Sequence, residues 1–498
     1  MTLSLGGTRV LVAGGRATGA AVVDLMLEVG AIPEVMDQTF ADPAAGAAFR
    51  ERGIALHAPA DLLDADGISR VPSGIELIVV SPGFRPDTPL LVAAAAAGVP
   101  VWGDVELAWR ADRAGLFGPP RTWLVITGTN GKTTTTGMVE SIVNAAGRAG
   151  LACGNIGLTV VDALRAEPHA EVLCVELSSF QLHWAPSVRP DAGVVLNVAA
   201  DHLDWHGSFE AYAAAKARAL RGPIAIVGAD DVGAAALGVG SDSRRVEFTL
   251  GEPAAGALGV SEGMLVDLAF GDGRTVLLPQ DQVRPAGPSG VADALAAAAL
   301  TRAVGIDADA VARGLRAYRP AAHRGEVVAQ IDGVDFVDDS KATNPHAAAA
   351  AIAARDRVVL IAGGLLKGAP VDELVEAART RLAGVVAIGA DRQIILDAIA
   401  RHAPQVPAVT VFTGDDGSVM TQRTGEQAHA VDPDGSADAV MRQSVAEAWR
   451  VAQADAGGVD AVLLAPAAAS LDMFAGYTQR GDSFAAASAA LADSIANR

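Results

Sequence analysis

The segment Thr127-Gly128-Thr129-Asn130-Gly131-Lys132-Thr133-Thr134 combines residue types and spacing suited to one chemical task, the cradling of phosphate. Gly128 and Gly131 let backbone N–H groups turn inward around phosphate oxygens, and the N-terminus of a following helix adds its positive dipole. Lys132 supplies a point charge at the terminal phosphates, and the Thr133 hydroxyl can then hold magnesium. The usual loop, G-x-x-x-x-G-K-[ST], requires glycine at 126, where this chain has Ile126, so the loop is a shortened variant. Its position after the apolar WLVIT and before a helix-forming stretch makes ATP binding the expectation.

Binding ATP does not say what is done with it, so charged residues at other strand ends matter. Glu176 lies just past the strand EVLCV, placed to take a magnesium ion beside Thr133, because hard cations want oxygen ligands; the alternative is a plain surface glutamate. The run Asn197 to His206 follows the strand AGVVL, and His202 there is placed to help hold a second magnesium ion or the phosphate it bridges. His202 and His206 also have the i, i+4 spacing of a zinc pair on a helix, but no H-E-x-x-H motif accompanies them. Lys216, in YAAAKARAL, reads on its own as a solvated helix lysine.

The elements that must position these residues alternate between strand and helix. RVLVA enters the glycine-rich turn Gly14 to Gly19, followed by the helical AAVVDLMLEVG, and IPEVMD and IELIVV read as further strands. Gly and Pro cluster in ADRAGLFGPPR, after which TWLVIT opens a second β-loop-α unit. EVLCVEL, AGVVLN and PIAIVG continue it, and the helical VADALAAAALTRAVGI closes it before Tyr318-Arg319-Pro320. From His323 the pattern restarts with VDFVDDS, RVVLIAGG, GVVAIGA and AVLLAPA. The expectation is an α/β chain of three domains: a Rossmann-like one over 1–115, a central phosphate-loop ATPase with a mostly parallel sheet over 116–320, and a dinucleotide-fold-like one over 321–498. Thr413 to Ser436, polar and rich in Gly and Asp, reads as a mobile excursion.

Composition narrows the class. The 498 residues are 51% hydrophobic with a net charge of −20, enough for full-sized cores and unfavourable for nucleic acid or anionic membrane. The two cysteines, Cys153 and Cys174, have no C-x-x-C spacing, so neither a disulfide framework nor a thiolate zinc site is encoded. Met1 to Gly15 lacks a basic segment followed by a long apolar one, and Leu90 to Trp102 is too short to span a bilayer. A soluble, cytoplasmic chain is expected.

In their order along the chain, TGTNGKTT (127–134), GNIG (154–157), ELSSFQL (176–182), LNVAADHLD (196–204), the Lys216 helix, AHR (322–324), DDSKATN (338–344), AGGLLKG (362–368) and LLAPAAASLDMF (463–474) resemble the Mur ligase family, the ATP-dependent amide-bond ligases of peptidoglycan precursor synthesis. DDSKATN and ASLDMF look most like the members that add D-glutamate to UDP-N-acetylmuramoyl-L-alanine. The resemblance implies those two substrates, ATP, two magnesium ions and a monomer. It implies that Gly128, Thr129, Asn130, Gly131, Lys132, Thr133 and Thr134 serve the phosphates, and that Glu176 and His202 serve the two magnesium ions. Lys216 matches a lysine carbamylated by carbon dioxide, which turns a cation into an oxygen ligand. Arg324, Asp339 and Lys341 match positions that contact ATP, and Thr343, Lys367, Ser470, Leu471 and Tyr477 match the D-glutamate pocket. Ala17, Thr18, Asp37, Ser81 and Gly83 match the UDP-binding turns, and Asn155 the muramoyl side.

Three positions depart from the family pattern. The first turn reads AGGRATG in place of a more regular glycine fingerprint, Asp293 stands where an adenine-side asparagine is expected, and Tyr477 replaces a common phenylalanine. Among relatives of the same superfamily, the diamino-acid ligase's D-N-P-R block is absent, and the folate enzyme's GKGS is replaced by Gly131-Lys132-Thr133-Thr134. A nicotinamide oxidoreductase, arguable from Gly14 to Gly19 with Asp37, leaves the phosphate loop unexplained. A P-loop switch protein leaves DDSKATN unexplained, and the guanine signature N-K-x-D does not occur.

Overall fold

The computed structural model describes residues 3–42 and 44–497; Met1 and Arg498, the ends of the expected first and last domains, lie outside them. Among the described residues there are three sheets, each flanked by helices, and parallel pairing dominates all of them. The chain divides into two compact units, one of Met1–Gln282 with Ala292–Tyr318 and one of Val283–Val291 with Arg319–Arg498. No described helix is long and apolar enough to cross a membrane.

The first unit contains two sheets. The smaller has five parallel strands in the spatial order Ala55–His57, Ile32–Met36, Arg9–Ala13, Leu77–Val80 and Val101–Gly103. Its order reverses beside Arg9–Ala13, and in open parallel sheets ligands bind outside the carboxyl ends at such a switch point. Arg9–Ala13 is buried from Val10 on, as a run of apolar residues covered on both faces must be. The larger sheet has nine strands, with Thr122–Thr127 lying between Val172–Glu176 and Ala192–Val195. Among the described residues its antiparallel pairing is confined to one edge, where Met264–Asp267 pairs with both Ala257–Ser261 and Thr275–Pro279. One apolar cluster runs through this unit from Val12 and Met26 by way of Trp109 to Trp123 and Leu173. Trp109 and Trp123 meet edge to face at 5.1 Å.

The second unit is built on an eight-stranded sheet whose centre is the parallel set Val334–Asp338, Ala461–Leu464, Val358–Gly363, Leu382–Ile388 and Ala408–Thr413. The expected mobile excursion is a correction: Val419–Arg423 and His429–Asp432 form an antiparallel hairpin that extends this sheet. Val419 and Thr421 are its buried face, and the use of threonine for an inward position hides the two-residue period from the sequence.

Candidate functional site

The phosphate loop is placed by its strand. Thr122–Thr127 pairs in parallel on both sides, so its carboxyl end stands beside those of Val172–Glu176 and Ala192–Val195. Gly131 caps the helix Lys132–Ala145 with φ of 84°, a left-handed conformation glycine adopts without strain, and a Cβ there would stand 2.3 Å from Asp293 Oδ1. The loop is tied to the neighbouring strand end by Asn130 N–H to Asn197 Oδ1 at 2.8 Å and Ala199 N–H to Thr129 Oγ1 at 3.0 Å. Thr129 Oγ1 also lies 2.9 Å from the Tyr212 hydroxyl. Asp293 accepts from Thr135 Oγ1 at 3.0 Å, which sets it against the phosphate loop. Thr133 is half-buried and Thr134 buried in the first turn of the helix.

Two lysines converge on one oxygen. Lys132 Nζ donates to the Gly128 carbonyl at 2.9 Å, and Lys216 Nζ donates to the same carbonyl at 2.7 Å. Lys216, on the helix Phe209–Ala217, is 2% exposed and lies over the Tyr212 ring, so its reading as a solvated helix lysine is overturned. Burial, followed by the nearby charge of Lys132, pushes its amine well below the usual lysine range. Glu176 is no surface glutamate either: it is 2% exposed. Its Oε1 accepts from Asn155 Nδ2 at 2.9 Å, and its Oε2 is buried with no hydrogen-bond partner. A carboxylate oxygen with nothing to accept from suits a cation, so the residues present fit a magnesium ion. Asn155 is held a second time by its N–H on the Glu176 carbonyl, at 2.8 Å. Gly154, with φ of 105°, permits this, since a Cβ there would stand 2.3 Å from the same carbonyl. His202 begins the short helix Leu203–His206 with φ of 53°, is half exposed, and packs 4.8 Å from the Phe180 ring. His206 Nε2 lies 2.9 Å from Ser179 Oγ, and burial lowers its pKa to about 4.

At the switch point of the five-stranded sheet, Gly14 (φ 104°) and Ser81 sit so close that a Cβ on Gly14 would lie 2.4 Å from Ser81 Oγ. Gly15 N–H donates to Asp37 Oδ2 at 2.7 Å, while Thr39 donates to Asp37 Oδ1, so Asp37 orders the glycine turn. Gly19 would drive a Cβ to 1.8 Å from the Gly14 carbonyl, which fixes glycine at that helix–strand contact. Ala17 and Thr18 open the helix Ala17–Glu28, whose preceding residue supplies no side-chain cap. Its first N–H groups therefore suit an anion. Gly83 is exposed beside this turn.

In the second unit the loops after Val334–Asp338, Val358–Gly363 and Ala461–Leu464 share one sheet end. Lys341 Nζ lies 3.8 Å from the centre of the Tyr477 ring, and Ser340 Oγ donates to the Tyr477 carbonyl at 2.8 Å. Burial raises Asp339 to about 7 against the opposing charge of Arg324. Lys367 is exposed with φ of 53°, Leu471 is exposed, Thr343 half-buried and Ser470 buried. Sequence reasoning missed the groups that hold these loops. Arg480 is 1% exposed and donates to Ser340 Oγ, Ser340 O and Ala468 O at 3.0, 2.9 and 3.1 Å. Burial lowers it to about 10, so it stays cationic. His323 Nδ1 lies 2.7 Å from Asp338 Oδ2. The only sequence signal for Arg480 is a lone cation among the small residues of the helix Tyr477–Ala496. Tyr212 carried no signal.

The chain matches the Mur ligase MurD-like N-terminal domain over residues 8–103 and the Mur ligase middle domain over residues 126–257. It is 55% identical over 484 residues to the UDP-N-acetylmuramoylalanine–D-glutamate ligase of Rhodococcus jostii, covering 96% of this chain and 95% of the relative. It is 54% identical over 489 residues to the protein of the same name in Mycobacterium bovis, covering 97% and 95%. Among solved structures, MurF ligase from Thermotoga maritima in complex with ADP aligns over 99% of this chain and 96% of its own, with a TM-score of 0.55 and 16% identity, a likeness of fold. On the strength of the full-length identities, the chain belongs to the Mur ligase family.

Proposed function

We propose that the chain is an ATP-dependent ligase that joins D-glutamate to UDP-N-acetylmuramoyl-L-alanine through an acyl phosphate. The observation that carries the chemistry is the convergence of Lys132 and Lys216 on the Gly128 carbonyl in the unit that also holds the unpartnered oxygen of Glu176. The full-length relatives support the choice of substrates. A carboxylate is a poor electrophile at neutral pH, and amide formation needs a leaving group that ATP supplies.

In this reading the L-alanyl carboxylate attacks the γ-phosphorus, ADP leaves, and Lys132 neutralises charge on the transferring oxygens. Glu176, Thr133, His202 and a carbamate on Lys216 would hold two magnesium ions, which when bound screen the phosphates and polarise their oxygens. The depressed pKa of Lys216 supports carbamylation: an uncharged amine adds to carbon dioxide and releases a proton, leaving an anionic carbamate. Gly128 to Thr134, with Arg324, Asp339 and Lys341, orient ATP, and Asp293 braces the loop through Thr135. The helix N-terminus at Ala17 and Thr18, with Ser81 and Gly83, receives the UDP group. Asp37 orders that turn, and Asn155 positions Glu176. Lys367, Thr343, Ser470, Leu471 and Tyr477 receive D-glutamate, whose amine attacks the acyl carbon and expels phosphate. A three-domain division at 115/116 and 320/321, a monomeric state and a cytoplasmic location belong to the same reading.

The test is phosphate release from ATP and magnesium with UDP-N-acetylmuramoyl-L-alanine, offering D-glutamate, L-glutamate, L-alanine and a diamino acid separately. Release that depends on D-glutamate, with formation of the adduct, is expected. Stimulation by another acceptor alone would overturn the choice of substrate.

A further inference from the structure

We propose that Trp184 and Trp205 are positioning residues, whose indole N–H groups clamp the loop Ser81–Arg85 and fasten it to the segment that carries His202. Trp205 Nε1 donates to the Gly83 carbonyl at 3.3 Å and Trp184 Nε1 donates to the Phe84 carbonyl at 3.1 Å. The tie runs in both directions, because Arg85 donates its guanidinium to the Asp204 carbonyl. Each clamp is anchored. Trp184 follows the helix Ser179–His183, and its own carbonyl accepts from Gly103 N–H at 2.8 Å. Trp205 is buried, with ring centres of Phe180, His183 and His206 at 4.8, 5.2 and 4.5 Å.

The consequence is preorganisation. Two successive carbonyls held by indoles cannot turn their peptides, so the loop beside Gly14 keeps its shape before a ligand arrives, and less ordering remains to be done on binding. The same residues lie three positions beyond His202 and one beyond the helix capped by Ser178, which follows Glu176 closely in sequence. A phenylalanine would fill much of the same space, so the N–H groups are the specific feature. This inference rests on the proposed assignment of Ser81 and Gly83 to the uridine nucleotide.

The variants Trp184→Phe, Trp205→Phe and the double variant keep a ring and remove the donor. Amide hydrogen exchange of the chain alone should accelerate in residues 81–85 and 202–206, by about fivefold for each donor lost, the loss expected of one net hydrogen bond. Steady-state kinetics should show KM for UDP-N-acetylmuramoyl-L-alanine raised by a similar factor per donor, with KM for ATP and for D-glutamate unchanged and the melting temperature lowered by no more than a few degrees per donor. Unchanged exchange, or an equal rise in all three KM values, overturns the clamp; faster exchange with unchanged KM overturns its role in positioning. If the parent chain releases no phosphate with that nucleotide, the proposed reaction fails, while the exchange measurement still decides whether the indoles hold the loop.

Discussion

Asp104 opens the helix Asp104–Arg113, is 2% exposed, and has one carboxylate oxygen, Oδ1, buried with no partner. Burial raises its pKa from 3.8 to about 6, against the lowering influence of the Val105 N–H, its own N–H and the Gln181 side chain. A carboxyl whose pKa is higher folded than unfolded binds more protons in the folded chain, so stability falls as pH rises between the two values. At one pKa unit per 1.36 kcal/mol, ionised Asp104 costs about 3 kcal/mol above pH 7 and about half of that near pH 5. Asp104→Asn keeps the shape and removes the titration. Denaturant unfolding of parent and variant, followed by tryptophan fluorescence at pH 5, 6, 7 and 8, compares them at each pH so that other titrations cancel. Five of the six tryptophans lie in the first unit, so the signal reports the unit that contains Asp104. The variant should gain stability over the parent as pH rises, by roughly 1 to 2 kcal/mol across the interval. A difference that stays flat from pH 5 to pH 8 would refute the argument that desolvation governs this carboxyl.

Lys132→Ala should lower phosphate release by at least about a hundredfold, the scale of a lost transition-state charge contact, with the melting profile unchanged; retained activity would remove Lys132 from the reaction. Glu176→Gln keeps an oxygen for Asn155 Nδ2 but loses the charge, and should raise the magnesium concentration needed for half-maximal rate and cut the rate by about a hundredfold or more. An unshifted magnesium titration would count against the metal role. Gly481→Ala would place a Cβ 2.2 Å from His323 Nδ1 and 2.6 Å from Asp338 Oδ2. Overpacking of about 1–3 kcal/mol should outweigh the helix-propensity gain of about 1 kcal/mol, so the second unit, reported by Trp449, should unfold earlier. A stabilised variant would show that the His323–Asp338 contact yields freely.

The sequence by itself determined what is local. Arg9–Ala13 and Thr122–Thr127 were legible as strands to the residue, because a short apolar run ending in a glycine-rich turn has few other ways to bury itself. A glycine turn at Gly128 to Gly131 and Lys132 at a helix N-terminus followed from the same few residues. The ordered motif blocks carried the family. The tertiary structure alone decided which charges are buried and what they touch. Lys216 looks solvated in its own helix, yet it is 88 positions from the Gly128 carbonyl that it meets, and Asp293 is 158 positions from Thr135. Arg480 reaches back 140 residues to Ser340, and the hairpin of Val419–Arg423 and His429–Asp432 exists because an open sheet edge was there to pair with. Hydrophobic period and turn chemistry are written over a few residues, whereas the desolvation of a charge depends on whatever the rest of the chain packs over it.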